Sequence, residues 1–342
     1  MALRRSCLKK RCELKRGWIT WDKRELPPDV FRMRIERVRQ ILGTYDLPAL
    51  VVYTDIWRSN WGRYLSNFMP YWNRSLLIVP RERPPFLLCA LSPRVYPWIQ
   101  SVTILDDIRP SPRLSDNLLN VCADYSWKRL GILDLQHLPQ QIYGPLAGSG
   151  LSLVNISAEQ NLKRTSDPNE LSMWRTGVSM VRRILETELP RGSAETDFML
   201  AGRLERVFRR AGIEDLLLLF SNGNTTPAPA RGAEFTEVFS VVVAAEYRGC
   251  WVRLARTQAA PPAVKQAQAR FEEVLTKLGR EKVSPTQVCV RNISGSYPYE
   301  YTAAAALTED LIFSADVEVP INGARLFYGD TCRLGENGAE LL

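Results

Sequence analysis

Residues 241–257 read VVVAAEYRGCWVRLART. Two apolar, β-branched runs stand on either side of Arg248-Gly249, the pattern of an antiparallel hairpin closed by a tight turn. The hairpin commits this region to sheet and leaves helices to its flanks. Upstream, SDPNELSMWRTGVSMVRRILETELPRG predicts a helix, with Asp167 as cap, Pro168 at the first helical position and Glu170 completing a capping box. Leu171, Trp174, Val178, Val181 and Leu185 then recur at helical spacing. A second helix, after Ser193, buries Leu200, Leu204, Val207, Phe208 and Ala211 and stops at Gly212. A third begins at Pro261-Pro262, turns Val264, Ala267, Phe271, Val274 and Leu278 inward, and ends at Gly279. The carboxyl end, DLIFSADVEVPINGARLFYGDTCRLGENGAELL, reads as strands joined by tight turns. The second half is therefore α+β.

The first half alternates helix and strand. DVFRMRIERVRQIL sets Phe31, Ile35, Val38 and Leu42 on one helical face. Short apolar runs follow, PALVVYTD, SLLIVP, PFLLCALS, SVTILDDI and RLGILDLQ, which predict a small α/β domain ending near Ser157. Between them TDIWRSNWGRYLSNFMPYWNRS carries six aromatics, Trp57, Trp61, Tyr64, Phe68, Tyr71 and Trp72. Such a cluster packs a core and its edge, or lines a pocket or an interface.

At 342 residues the chain calls for two domains. The division expected is a basic leader over 1–28, an amino-terminal domain over 29–158 and a second domain over 159–342. Residues 1–40 hold 13 Lys/Arg against 5 Asp/Glu, a net of +8 that equals the whole-chain net. A neutral body with a basic leader argues against nucleic acid, which asks for a basic face on a folded domain. The leader reads as a solvated, partly disordered tail, with anionic docking as its alternative. It has no apolar core of a signal peptide and no apolar run approaches a membrane span, so a cytoplasmic protein is expected. Seven cysteines, never spaced as C-x-x-C, suit unpaired thiols in a reducing compartment and argue against structural zinc.

From Phe31 to Leu342 the order of segments resembles the creatinase/aminopeptidase P family. GRYLSNFMPYWNRSLLIVP is similar to that family's amino-terminal domain, and LKRTSDPNELSMWRTG to the linker and first helix of its catalytic domain. The 241–257 hairpin resembles its paired-aspartate hairpin, roughly D-x-G-A-x-Y-x-G-Y-x-x-D-x-T-R-T. VEVPI and YGDTCRLGENGAELL resemble the strands carrying its two glutamates. The resemblance implies an α/β amino-terminal domain followed by an α+β pita-bread domain, an antiparallel sheet covered by helices.

It also implies two divalent ions held by Asp, Asp, His, Glu and Glu, because hard cations need several carboxylate oxygens. Anchored on Gly249 and Arg256-Thr257, the first aspartate position falls on Val242 and the second on Arg253. The first glutamate falls on Glu318 and the second on Gly329, beside Asp330. The histidine ligand falls near NISGSYPYE, which has none, and the family's other pocket histidine on Ala228 or Ala230. Val242, Arg253, Glu318 and Gly329 thus form a degenerate ligand set, and no metal or other cofactor is expected. The sole histidine, His137, reads as a surface or structural residue. That removes serine or cysteine triads and the histidine-dependent, metal-free chemistry of creatinase itself.

Three functional readings follow. One is a pseudoenzyme, a binding or partner subunit forming a homodimer or a heterodimer with an active homologue. Another is a metal-independent enzyme on a small carboxylate- or amide-bearing substrate, with Glu318 or Asp330 moving protons. The last is a divergent Xaa-Pro aminopeptidase-like hydrolase. In the first two, Arg253, Glu318, Tyr297 and Tyr299 are the residues expected to meet a small anionic or peptide ligand. Arg253 is expected to turn inward and face Glu318, since a buried guanidinium needs an anion.

Overall fold

A computed structural model describes residues 19–162, 164–189, 195–278, 288–293, 309–336 and 338–342. They divide between Arg164 and Thr165 into two compact units.

The first unit is built on a six-stranded sheet. Its strands are β1 (Ala49–Asp55), β2 (Arg74–Pro80), β3 (Phe86–Cys89), β4 (Asp107–Pro110), β5 (Arg129–Leu133) and β6 (Ser152–Ile156), in the order β4-β3-β2-β1-β5-β6. β2 runs antiparallel to β1 and β3, whereas β4, β5 and β6 pair parallel to their neighbours. Helices α1 (Pro28–Thr44), α2 (Asn60–Ser66), α3 (Tyr96–Val102) and α6 (Ala158–Leu162) cover one face. The other carries α4 (Leu114–Asp124) and α5 (Gln140–Gly148). Leu50 and Val52 pack into the first layer and Ala49 and Val51 into the second, so β1 is apolar without alternation because both faces are covered.

Three expectations for this unit are revised. Ile19, within the expected leader, is buried in the core of this unit. Ala158 and Leu162 complete the same core, which sets α6 with this unit. SVTILDDI is not one strand: it is the end of α3, a loop over 103–106 and, at Asp107 and Ile108, the start of β4. Asn67 Nδ2 donates to Val102 O and Ile104 N donates to Ser66 O, so the end of α2 satisfies this backbone in place of a ladder. Of the six aromatics, Tyr64 and Phe68 are buried in the core and Trp61 and Tyr71 pack against it, while Trp57 and Trp72 are 52 % and 65 % exposed. His137 is exposed in a short 3-10 turn.

The second unit holds an antiparallel sheet of β7 (Asp215–Asn222), β8 (Phe239–Tyr247), β9 (Cys250–Gln258), β10 (Cys289–Asn292), β11 (Ile312–Ile321), β12 (Ala324–Gly335) and β13 (Gly338–Leu341). The order is β10-β11-β12-β9-β8-β7, with β13 on β12. The β8–β9 hairpin turns at Arg248 (φ 53) and Gly249 (φ 83), both left-handed, as a two-residue turn requires to match strand twist. Helix α7 (Pro168–Glu188) is capped by Asp167, which accepts from the amides of Asn169 and Glu170. Its Trp174 Nε1 donates to Trp251 O at 3.1 Å, and Gly177 admits Val252 so closely that a Cβ would lie 3.2 Å from Val252 Cγ1. Helix α8 (Asp197–Ala211) is capped by Thr196 and ends on Gly212 at φ 101; helix α9 (Pro261–Lys277) starts on proline and packs Ala267, Phe271 and Val274 against β11 and β12. The five described cysteines are free thiols, and among the described residues no helix is long and apolar enough to cross a membrane.

Candidate functional site

Directly opposed residues of antiparallel strands share a face of the sheet. The pairings Val242↔Ala255, Ala255↔Gly329, Gly329↔Asp316 and Asp316↔Cys289 therefore form one lateral row across five strands. Ala244↔Arg253 and Thr331↔Ser314↔Arg291 form the next row, on the same face. The opposite face is packed against α7 and α9 through residues such as Val317, Leu326 and Tyr328. The inner face thus brings Val242, Arg253, Gly329, Asp316, Arg291 and Cys289 together.

Hydroxyls stitch the centre of this face. Thr331 Oγ1 accepts from Arg253 N at 2.9 Å and donates to Arg253 O at 3.1 Å. Two residues to the other side of Gly329, Thr257 Oγ1 accepts from Phe327 N and donates to Phe327 O, both at 2.9 Å. Ser240 Oγ reaches the same hydroxyl at 2.6 Å. Threonine side chains stand in for ladder bonds between β9 and β12 on both flanks of the Gly329↔Ala255 pair.

Arg253 turns inward, as expected, and is 6 % exposed. Its acid is Asp316, not Glu318: Nε lies 3.6 Å from Asp316 Oδ1, an ion-pair distance too long for a hydrogen bond. Arg291 Nη1 binds the same Oδ1 directly. Burial, and then the neighbouring Arg291 charge, lower the proton affinity of Arg253, with Asp316 opposing them. Burial and Asp316 raise the pKa of the Cys289 thiol, so the site does not favour a thiolate.

Glu318 is exposed and held by both Nε and Nη2 of Arg325. Register explains the difference: Asp316, one pleat repeat before Glu318, stands opposite Gly329. Asp330 points to the helix-covered face. There it is buried and accepts from Arg256 Nη2 at 2.7 Å and Arg182 Nη2 at 3.1 Å, pinning α7 to β9 and β12. Neither acid is placed to move a proton beside Arg253. Ala228 exchanges backbone hydrogen bonds with Phe220, and Ala230 follows in the same loop. Tyr297 and Tyr299, and NISGSYPYE beyond Ile293, lie outside the described residues. Asp316, Arg291 and Cys289 were missed from sequence. The alternation of Ser314, Asp316 and Glu318 was the available signal, since it sets all three on one face.

These residues do not fit a pair of divalent cations. Val242 offers hydrocarbon, Arg253 a competing positive charge, and Asp316 a carboxylate already bound by arginine. At Gly329 a Cβ would fall 2.5 Å from Asp316 Cβ and 2.6 Å from Ala315 O, so the strands leave no room for a side chain. Among the described residues no three His, Cys, Asp or Glu side chains gather as a metal would need.

No family model matches the chain, and no curated protein matches it in sequence. Solved structures do. An X-Pro aminopeptidase from Thermotoga maritima MSB8 aligns over 90 % of this chain and 96 % of its own, at 15 % identity and a TM-score of 0.73. A Xaa-Pro dipeptidase from Bacillus anthracis aligns over 91 % and 97 %, at 13 % identity and a TM-score of 0.68. A prolidase from Pyrococcus horikoshii OT3 covers 90 % and 97 %, at 11 % identity and a TM-score of 0.66.

Proposed function

We propose that this chain is a non-catalytic protein on the peptidase fold, acting as a binding or partner subunit. Fold alone leaves function to the site, and the fold is that of these peptidases, an α/β domain followed by an α+β pita-bread domain. One observation carries the reading: where the resemblance calls for acids, the inner face holds Val242, Arg253 and a Gly329 with no space for a side chain. The engagement of Glu318 by Arg325, and of Asp330 by Arg182 and Arg256, counts against the metal-independent enzyme. Exposed Trp57 and Trp72 support a partner surface for a second copy or an active homologue, and the cytoplasm is the compartment proposed for it.

Purified protein incubated with Xaa-Pro dipeptides and longer Xaa-Pro peptides, with Mn, Co or Zn added, tests the proposal. No turnover above a heat-treated control is expected; metal-dependent release of the amino-terminal residue overturns it. Light scattering at micromolar concentration, alone and with a co-expressed homologue, tests the assembly. A monomer in both preparations removes the partner role.

A further inference from the structure

The inner face of the second unit inverts the charge that its position in the fold would suggest. Two guanidinium groups, Arg253 and Arg291, converge on one carboxylate, Asp316. Arg291 takes the direct contact with Oδ1. Arg253 is left with a long ion pair, and its Nε is buried with no hydrogen-bond partner among the described residues. An orphaned, buried, charged donor costs more than almost any other side-chain defect, so such a group normally has an anion against it. Beside it the row offers Val242, Ala255 and Gly329, which add no charge and, at Gly329, no side chain.

We propose that Arg253 is the anchor of an anion subsite that takes one carboxylate or phosphate group of a small ligand on this face. The edge of a guanidinium presents Nε and one terminal nitrogen as parallel donors, matched to two oxygens of such a group. Bound there, the ligand supplies the acceptor Nε lacks and neutralises the second positive charge, while Arg291 keeps Asp316. Asp316 repels the anion and limits its affinity, so the subsite is tuned by that acid. This assignment gives the ligand chemistry of the binding role proposed above and rests on it. It stands on the surroundings of Arg253 and not on the absence of turnover.

The test is isothermal titration of the full chain with inorganic phosphate, and separately with acetate, at ionic strength held constant with chloride. Thermal melts run in the same buffers. Wild type is expected to bind one phosphate or acetate per chain and to melt about 2–4 °C higher at ten times the dissociation constant. Phosphate-only or acetate-only binding tells which source of the oxyanion the subsite accepts. Arg253→Met, which leaves the Arg291–Asp316 pair intact, is expected to lose both responses. Arg253→Lys keeps the charge but not the fork and is expected to bind at least tenfold more weakly, and Asp316→Asn tenfold more tightly. Equal stabilisation of wild type and Arg253→Met, or no saturable site on wild type, overturns the proposal. Peptide hydrolysis in the earlier assay would overturn the non-catalytic reading and leave these titrations to stand or fall separately.

Discussion

Arg253 on β9 meets Asp316 on β11 across the intervening strand β12, Nε to Oδ1 at 3.6 Å. Gly329 lies between them on β12, directly opposite both Ala255 and Asp316. With no side chain at 329, the arginine reaches over the strand to its acid. The pinch of β11 on β12 also leaves no room for a side chain at this position.

Gly329→Ala is therefore expected to destabilise the fold, although Gly329 φ is not left-handed and alanine favours strand no less than glycine. The added Cβ meets Asp316 Cβ and the Ala315 carbonyl, both of which belong to a sheet that must shift. Urea denaturation should show a loss of about 1–3 kcal/mol, the usual cost of overpacking. Wild-type stability in that variant would mean that β11 and β12 separate easily.

The shared acid makes the two sides of the ion cluster unequal. Asp316→Asn leaves two buried guanidinium groups facing each other and should cost about 3–5 kcal/mol in anion-poor buffer. Arg253→Met leaves a matched Arg291–Asp316 pair and should cost about 1 kcal/mol or less, because the lost cation was the poorly bonded one. Denaturation of both single variants and the double variant, as a thermodynamic cycle, measures the difference. Equal costs would mean that Arg253 and Arg291 share Asp316 evenly.

Thr331 holds β9 to β12 by accepting from Arg253 N and donating to Arg253 O. Thr331→Val keeps the shape and removes both bonds, leaving a buried amide and a buried carbonyl unpaired. A loss of about 1–3 kcal/mol is expected, with faster exchange of the Arg253 amide hydrogen. Unchanged exchange at that amide would show that the backbone finds another partner.

Local signals made most of the fold legible. Arg248-Gly249 announced its hairpin because few dipeptides tolerate two left-handed residues, and Asp167-Pro168 announced α7 because cap and proline act within one turn. The pairing of β9, β12 and β11 was not local. A slip of two residues preserves the face, so Asp316 and Glu318 are equivalent in alternation, and only the register opposite Gly329 separates them. Asp330 was misjudged for the complementary reason: one residue from Gly329, it lies on the other face. Cys289 and Arg291 sit on a four-residue strand with no flanking signal strong enough to place it.

We propose that this face holds a buried arginine cluster and binds no divalent cation. Metal content measured by mass spectrometry after incubation with excess Mn, Co or Zn and desalting tests it most directly, alongside the melting temperature with and without each ion. The expected result is far less than one bound ion per chain and no rise in melting temperature, since an ion that binds the folded state must stabilise it. One or more ions per chain, lost in a Val242→Lys variant and accompanied by a higher melting temperature in the wild type, would contradict the claim.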